Sequence, residues 1–326
     1  MLNKRLAACL AAAVFIIGGS GVLPITEKTD NITAYADSYG DFNYEAVSGG
    51  VAITAYTGNG GKVAIPSKIS GKKVVSIADN AFFQCDAITS VTIPSTVLSI
   101  GNSAFMECES MTSVSIPDSV KTIGVCAFSG CSSLKKLNLP ASLKTVGEAA
   151  FADCTALTLV TLPDVGVTYK YEAFLGCTSL KTVNIPANTA EIEDAAFGFT
   201  IGDSESAVYT KLSGFKIGCY MNSKAYIYAV LNDLKYEILD PDTPDIIFGE
   251  DDDDTTGDET APGDVNGDDI VNIVDLAMTA GHVKGVKSLS EKRKARADVS
   301  GDGNVNVTDI SMISAYIKGK KILKKH

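Results

Sequence analysis

The stretch LKKLNLPASLKTVGEAAFADC, residues 134–154, is one unit of a repeat that decides the fold of most of this chain. It opens with leucines spaced L-x-x-L-x-L from Leu134, and this spacing predicts a short strand whose apolar side chains enter a core. Pro140 follows directly and ends the strand, because proline cannot donate a ladder hydrogen bond.

The second half of the unit completes one turn of the chain. We expect Val146-Gly147 to turn the chain and Ala150-Phe151 to turn inward again, before Cys154 closes the unit. One unit alone cannot bury these groups. The pattern therefore predicts stacked units with continuous ladders of phenylalanine, aliphatic and cysteine side chains.

The same pattern returns every 23 residues. Alanine precedes a phenylalanine at each step, and a cysteine, a proline and a large apolar residue recur at fixed offsets. The columns are Phe82, Phe105, Phe128, Phe151, Phe174 and Phe197; Cys85, Cys108, Cys131, Cys154 and Cys177; Pro94, Pro117, Pro140, Pro163 and Pro186; and Ile88, Met111, Leu134, Leu157 and Leu180. A period shared by so many columns indicates one supersecondary unit repeated as a solenoid.

These units resemble the BspA type of leucine-rich repeat, with its I-P, I-G, A-F and C-x-x-L punctuation. The resemblance implies a leucine-rich-repeat β-solenoid with 23-residue repeats and short parallel strands over residues 37–239. It also implies an entry segment at 44–66 and a closing strand, helix and strand at 217–219, 225–232 and 235–238. Two positions depart from the pattern: Tyr169-Lys170 replaces Ile-Gly or Val-Gly, and Thr200 replaces the ladder cysteine.

The cysteines allow two interpretations. Removal of a 36-residue signal leaves seven, an odd number that cannot pair completely within one chain, although disulfides are usual in exported proteins. Five of them share one inward repeat position, where free cysteine behaves as a small apolar residue. We favour a reduced ladder, with one or more disulfides as the alternative. Zinc is disfavoured because no pair has C-x-x-C spacing and the solenoid contains no histidine.

One face of the predicted strands carries polar residues in register. Repeat proteins use such faces for binding, so this column is the candidate ligand surface of the solenoid. Its members are Thr92, Ser115, Asn138, Thr161 and Asn184. A solvated sheet face with high strand propensity explains the same residues, and both interpretations stay open.

The two ends of the solenoid region have different compositions. Residues 1–36 combine Lys4-Arg5, a short apolar run and Ala34-Tyr35-Ala36, which is typical of an export signal cleaved after Ala36. Residues 240–262 are acidic, contain no lysine or arginine and predict a disordered linker. No other segment could span a bilayer, so we expect a secreted mature chain without a membrane span.

The formal net charge is −11, from 39 acidic and 28 basic residues. A general nucleic-acid binder needs a basic patch, so this balance argues against nucleic acid as a partner.

Two twelve-residue segments repeat at an offset of 34 after the linker. Oxygen-bearing side chains recur at positions 1, 3, 5, 9 and 12, and position 7 can offer its backbone carbonyl. This is the ligand spacing of an EF-hand loop, and it suits a hard cation that takes six to eight oxygens. The predicted calcium ligands are Asp264, Asn266, Asp268, Ile270, Asn272 and Asp275, and Asp298, Ser300, Asp302, Asn304, Asn306 and Asp309. A solvated acidic run is the alternative interpretation, and it fits Asp251 to Asp254 better.

Each loop leads into an apolar helix, at 273–283 and 307–317, and Ser290-Glu291 opens a short charged helix between them. Pro262-Gly263 directly precedes the first loop, and we expect no helix before either loop. Asp269 stands at position 6 of the first loop, where glycine is usual, which predicts a weaker first site.

Paired loop–helix units with aspartate at position 12 resemble the type I dockerin, here at 263–326. The resemblance implies a small all-α module that binds two calcium ions and docks into a cohesin of a scaffolding protein. Family docking positions 10 and 11 correspond to Ile273, Val274, Val307 and Thr308. Ordinary packing between the two halves is the alternative role for these residues.

The combined expectation is a secreted, non-catalytic component of a cellulosome, held at the cell surface through its dockerin while the solenoid binds a protein or surface ligand. Alternatives for the solenoid are a structural spacer and a glycoside hydrolase. A hydrolase needs two facing carboxylates in a cleft, and the acidic residues of the repeats lie scattered on turns. The solenoid has no histidine for a triad, so no catalytic residue is predicted.

Overall fold

The computed structural model describes residues 37–202, 208–220, 223–239, 247–248, 262–267, 270–285 and 288–318. The predicted signal peptide lies outside these residues, as does most of the predicted linker. The chain divides into two compact units, one holding residues up to 183 with 188–213, the other holding 184–187 with the residues from 214 onward.

Two rows of short parallel strands build the solenoid, which confirms the predicted fold class. The first row contains β4 (Gly61–Ala64), β7 (Ile88–Thr92), β9 (Ser113–Ser115), β11 (Lys136–Asn138), β13 (Leu159–Thr161) and β15 (Thr182–Asn184). The second contains β6 (Lys72–Ile77), β8 (Ser99–Ile100), β10 (Thr122–Ile123), β12 (Thr145–Val146), β14 (Thr168–Tyr169) and β16 (Glu191–Ile192). In the second row, neighbouring strands from β8 to β16 pair 23 residues apart, as in Ile123 opposite Val146. The first row pairs in separate groups, β4-β7-β9 and β11-β13, as in Leu137 opposite Val160.

The second row corrects one expectation. Val146-Gly147 was expected only to turn the chain, but Thr145–Val146 forms strand β12, and Gly147 follows it. Val146 is fully buried and pairs with Ile123 and Tyr169 on either side. Two residues per repeat are too few to show the alternating pattern that marks a strand in a sequence.

The entry end of the solenoid is antiparallel. Strands β1 (Asp37–Tyr39), β2 (Phe42–Val47) and β3 (Gly50–Tyr56) pair antiparallel, and β3 continues into the second row through parallel pairing with β6. A two-residue strand, β5 (Lys68–Ile69), pairs antiparallel with β6. These strands cover the first repeat, as solenoid caps do.

An antiparallel hairpin, β17 (Phe199–Ile201) and β18 (Tyr209–Lys211), begins within the sixth repeat. It occupies the repeat in which Thr200 replaces the ladder cysteine. The first unit therefore ends in antiparallel structure, as it began.

The second unit starts with the predicted closing elements. These are β19 (Lys216–Cys219), helix α1 (Lys224–Leu231) and β20 (Lys235–Ile238), with β19 and β20 parallel. Ser223 caps α1 by accepting a hydrogen bond from the N–H of Tyr226. The predicted linker is not wholly irregular, because Ile247–Phe248 forms β21, antiparallel to β20.

Three helices form the C-terminal part of the second unit: α2 (Ile273–Val283), α3 (Glu291–Ala297) and α4 (Val307–Ile317). The expectation that no helix precedes either loop is wrong for the second loop. Helix α3 ends at Ala297, and Asp298, the first loop residue, is its C-cap. Ser290 caps α3 at its N-terminus as predicted, accepting from the N–H of Arg293.

The core of the repeats is a stack of phenylalanines. All six ladder rings are buried, and neighbouring centroids lie 4.6–5.2 Å apart. Interplanar angles of 4–19° make this an offset stack along the solenoid axis. The predicted phenylalanine ladder is therefore confirmed.

The five ladder cysteines are free thiols, as favoured from the sequence. Cys131 Sγ donates to the Phe105 carbonyl at 3.2 Å, and Cys108, Cys154 and Cys177 make the same bond to the phenylalanine 26 residues earlier. Burial raises the pKa of Cys108 to about 12, and that of Cys131 well above its ordinary value.

Glycine after the second-row strand allows neighbouring repeats to approach. A Cβ on Gly124 would lie 2.7 Å from the Asn102 nitrogen, and one on Gly147 would lie 2.6 Å from the Gly124 carbonyl carbon. Because both neighbours are backbone atoms, no side-chain movement could relieve the contact. The I-G element of the repeat is thus a packing requirement.

Among the described residues, the helices are all too short or too polar to cross a bilayer.

Candidate functional site

The first loop is organised around two buried carboxylates, Asp264 and Asp275. Asp264 Oδ1 accepts from the N–H of Gly267 at 2.8 Å. Asp275 Oδ1 accepts from the N–H of Val265 at 2.7 Å, and its Oδ2 accepts from the N–H of Asn272 at 2.8 Å. The carboxylates at positions 1 and 12 are therefore both held by backbone N–H groups of the loop. Asp268 and Asp269 lie outside the described residues.

The second loop repeats this arrangement around Asp298 and Asp309. Asp309 is fully buried, with Oδ1 accepting from the N–H of Ser300 at 2.9 Å and Oδ2 from the N–H of Asn306 at 2.9 Å. Asp298 accepts from the N–H groups of Gly301 and Gly303, each at 2.8 Å. Partial burial opposes ionisation, but hydrogen bonds from Gly303 and Gly301 outweigh it and lower the pKa of Asp298.

Positions 6, 7 and 9 complete the turn of the second loop. Gly303 at position 6 has φ = +82°, a conformation that glycine adopts without steric cost. Asn306 Nδ2 at position 9 donates to Asp302 Oδ2 at 3.2 Å and to the Asn304 carbonyl at 3.4 Å. In the first loop, Asn272 Nδ2 donates to the Ile270 carbonyl at 3.2 Å. In each half, the side chain of the position 9 asparagine is therefore hydrogen-bonded to another predicted ligand residue of the same loop.

The helix that follows each loop begins with the same capping box. Asn272 has φ −143° and ψ −167°, and Asn306 has φ −145° and ψ −170°. Their side chains accept from the N–H of Val274 and Thr308, both at 2.8 Å. The two halves are thus geometrically equivalent where the loop ends and the helix begins.

No group of three or more histidine, cysteine, aspartate or glutamate side chains converges for a metal within the part of the chain that the structure describes. In the second loop the carboxylates of Asp298, Asp302 and Asp309 are engaged by N–H groups of the loop itself. The donor set still fits calcium in kind, because it consists of carboxylate, amide, hydroxyl and carbonyl oxygens on a loop with the right turn.

The four predicted docking residues differ in exposure. Val307 and Ile273 are 66% and 41% exposed, and Thr308 is also exposed. Val274 is fully buried, so its side chain is inaccessible to a partner in this arrangement. Three of the four predicted docking positions therefore lie at the surface.

The predicted polar column lies on the outer face of the first strand row. Its five residues, Thr92, Ser115, Asn138, Thr161 and Asn184, are all exposed. Thr92 pairs with Ser115, and Asn138 with Thr161, in register. The neighbouring column includes Leu159, which is 48% exposed and pairs with Lys136. Within the first unit, the pairs Thr92 with Ser115 and Asn138 with Thr161 thus each place two polar side chains next to each other on the strand face.

The sequence interpretation missed a polar cluster in the fifth repeat. The Tyr209 hydroxyl donates to buried Glu172 Oε1 at 2.5 Å and also contacts the Tyr171 hydroxyl, while Lys170 Nζ binds Glu193 Oε1 at 2.5 Å. Desolvation and then the Glu172 hydrogen bond raise the pKa of Tyr209. Departure from Ile-Gly at Tyr169-Lys170 was the available signal. The cluster ties the β17–β18 hairpin to the repeats.

The structure defines a leucine-rich-repeat solenoid accompanied by a helical module with paired EF-hand-like loops. The comparisons agree. Residues 75–201 match the BspA type Leucine rich repeat region in six copies, and residues 262–318 match the Dockerin type I domain. Both predicted resemblances are confirmed, and both families are non-catalytic modules.

Several solved structures are similar to the chain over part of its length. A leucine-rich-repeat protein of T. pallidum is 29% identical over 48% of this chain and 81% of its own, with a TM-score of 0.41. A leucine rich cell surface protein of Faecalibacterium prausnitzii is 24% identical over 57% of this chain and 70% of its own, also at 0.41. A leucine-rich-repeat protein of Bacteroides ovatus is 26% identical over 58% and 66%, at 0.39. In the comparison with curated proteins, none matches.

Proposed function

We propose that the chain is a secreted, non-catalytic component of a cellulosome-type assembly. Its dockerin docks into a cohesin of a scaffolding protein when calcium is bound, and its solenoid carries a protein or surface ligand. The observation that carries the proposal is the equivalence of the two loop–helix units, with Asn272 and Asn306 in the same backbone conformation and the same capping box.

Calcium has a defined role in this proposal. Each loop sequence carries carboxylates whose mutual repulsion a divalent cation would neutralise, and docking positions 10 and 11 lie inside each twelve-residue loop. Ile273 and Val307 are the first residues of their helices, so loop closure determines where they point. We expect two ions per chain.

A calcium titration of the full chain tests this part. Asp302 is an exposed loop carboxylate, so Asp302→Ala should abolish calcium binding at the second loop without creating a cavity in the hydrophobic core. The expected stoichiometry falls from two ions to one. Asp251→Asn, in the acidic run of the linker sequence, is the matched control and should leave two. Two ions retained in Asp302→Ala, or none bound by the unsubstituted chain, would contradict the proposal.

Docking is tested with recombinant type I cohesin modules. The chain should be captured in calcium and released by a chelator, because the docking residues are positions 10 and 11 of the proposed calcium loops. Capture that is equal with and without chelator, or absent for every module tried, would contradict calcium-dependent docking.

The role proposed for the solenoid rests on the exposed polar strip along β7, β9, β11, β13 and β15. Its five hydroxyl and amide side chains stand at the strand spacing and contain no aromatic ring for stacking on sugars. This chemistry suits hydrogen bonding to a protein better than to a polysaccharide. Binding of Asn138→Glu, Thr161→Glu and unsubstituted chains to proteins and to glycan arrays tests it. A glycan hit that the substitutions weaken would overturn the proposal of a protein ligand.

Export is proposed from the sequence pattern at residues 1–36, and sequencing the N-terminus of the secreted chain tests it. The expected first residue is Asp37.

A further inference from the structure

The two halves of the dockerin bury equivalent residues to different extents. Val274 is 0% exposed, whereas Thr308, its equivalent 34 residues later, is exposed. Met278 is 4% exposed, whereas Met312 is half-buried. The difference continues one turn further, because Gly281 is buried and its equivalent Ala315 is half-buried.

This asymmetry needs a cause outside the paired halves. Positions 274, 278 and 281 form one stripe on α2, since residues three and four apart share a helix face. The equivalent stripe on α4 is 308, 312 and 315. Helices α2 and α4 pack against each other, and their N-terminal caps have the same geometry. We therefore expect the contact between the two helices to bury both stripes to the same extent. The stripe on α2 is covered by other parts of the second unit, which include α1 and, beside Met278, residues 288–293 between the two halves.

The closing helix of the repeat region, α1, packs against α2 within the same compact unit. A Cβ at Gly281 would lie 3.4 Å from Leu231 Cδ2, which is van der Waals contact. Val230 and Leu231, at the end of α1, line a groove together with Met278 and Leu289. Apolar side chains of α1 therefore meet the stripe on α2 directly.

A polar contact fixes the same approach. Asn266 Nδ2, at position 3 of the first loop, donates to the Tyr226 hydroxyl of α1 at 3.3 Å. At position 3 of the second loop, Ser300 Oγ instead donates to Asp298 Oδ1 within its own loop, at 3.2 Å. The first loop is thus bonded to the closing helix.

We propose that α1 is a built-in cover for the docking face of the first dockerin half, so that the chain docks in a single orientation through the second half. Two matched halves would offer a partner two equivalent faces. Here one stripe is occupied by a segment of the same chain, and the open face is formed by Val307, Thr308, Met312 and Ala315. The role of the open face in docking rests on the proposed function. The coverage of the α2 stripe by α1 does not depend on it.

A labelling experiment on the full chain in calcium tests the cover without any partner. Met278→Cys and Met312→Cys place one thiol at equivalent sites, and the slow reaction of the native cysteines is subtracted with the unsubstituted chain. The Met312→Cys variant should react with a water-soluble maleimide at least about tenfold faster, because a covered site reacts only after local opening. Equal rates at the two sites would overturn the proposal.

Two further substitutions remove the cover from opposite sides. Leu231→Asp changes α1, and Gly281→Glu changes α2 without altering the closing helix. Either one, combined with Met278→Cys, should raise the labelling rate to that of the Met312→Cys variant. Ala315→Glu is the control for Gly281→Glu at the equivalent position, and it should leave the Met278→Cys rate unchanged. Continued protection in both uncovering variants would also overturn the cover.

Capture by recombinant type I cohesin modules then separates the two proposals. Thr308→Asp should abolish capture of the otherwise native chain, and adding Leu231→Asp should restore it through the uncovered first half. Failure to restore capture when labelling shows the first face open overturns the single-orientation inference. If no module captures any variant while the labelling asymmetry holds, the docking function is overturned and the cover is supported.

Discussion

Phe105 and Phe128 stack with centroids 5.0 Å apart and planes 9° apart, and Phe128 stacks on Phe151 at 5.2 Å in the same way. Removing the ring of Phe128 leaves a cavity between Phe105 and Phe151, and these two rings cannot move close enough to fill it. Phe128→Ala should lower the free energy of unfolding by about 3–5 kcal/mol. Ser115→Ala, on the exposed strand face, should change it by about 0.5 kcal/mol or less. Equal denaturant midpoints for these variants would contradict the ladder.

Gly124 and Gly166 make a matched pair for the packing of the second strand row. A Cβ at Gly124 meets backbone at 2.7 Å, whereas the nearest atoms at Gly166 are 3.9 Å away. Gly124→Ala should destabilise the chain by about 1–3 kcal/mol, because the repeats must separate. Gly166→Ala should stabilise it by about 0.4–1 kcal/mol by restricting the unfolded chain. Thermal unfolding of both variants checks the difference in sign.

The buried thiols predict a loss of stability at high pH. The pKa of Cys131 is raised well above its ordinary value of 9.0, chiefly by desolvation. Above pH 9 the thiol of the unfolded chain loses its proton, whereas the buried thiol of the folded chain keeps it. Stability from this thiol is therefore complete below pH 9 and falls as the pH rises, by about 1.4 kcal/mol per pH unit.

Cys131→Ala is the control for that effect, since lysines and tyrosines also titrate in this range. The variant is expected to be less stable at pH 7 but to lose stability less steeply above pH 9. Parallel curves of unfolding free energy against pH for the two proteins would show that Cys131 does not contribute.

Val307 and Ile273 occupy equivalent positions and are both exposed, so a charge at either is tolerated by the fold. If docking uses the second half, Val307→Asp should weaken binding to a type I cohesin by several kcal/mol through desolvation of the new charge. Ile273→Asp should bind nearly as the unsubstituted chain does. Calorimetry with calcium saturation confirmed in both variants makes the comparison, and equal losses would contradict it.

The sequence predicted what is periodic. Phe128, Cys131 and Leu134 each recur in register, and a repeated position can be assigned to the core because its neighbours along the stack are copies of itself. The loop–helix units that contain Asp264 and Asp298 were predictable for a related reason, since the spacing that marks an EF-hand-like loop is local in sequence. That these carboxylates bind a metal stays a prediction.

What the sequence did not predict depends on short or distant contacts. Strand β12 has two residues, too few to show a period. The bond between Tyr209 and Glu172 joins residues 37 apart in the chain, outside the 23-residue register. The burial of Met278 comes with the packing of α1 against α2, elements separated by the acidic linker region. No local pattern encodes which face of a helix a distant helix will meet.

Asn306 is at once a predicted oxygen donor of the second loop and the N-cap of α4, and Val307 follows it by a single peptide bond. The predicted calcium ligand and the predicted docking residue are therefore consecutive in the chain, and no other residue separates them. In the proposed function, affinity for calcium and choice of partner depend on the same stretch of backbone, so a mutation that changes one is expected to change the other. Diversification of docking specificity in such a module is then easiest further along α4, at Met312 and Ala315, where side chains can vary without moving the loop.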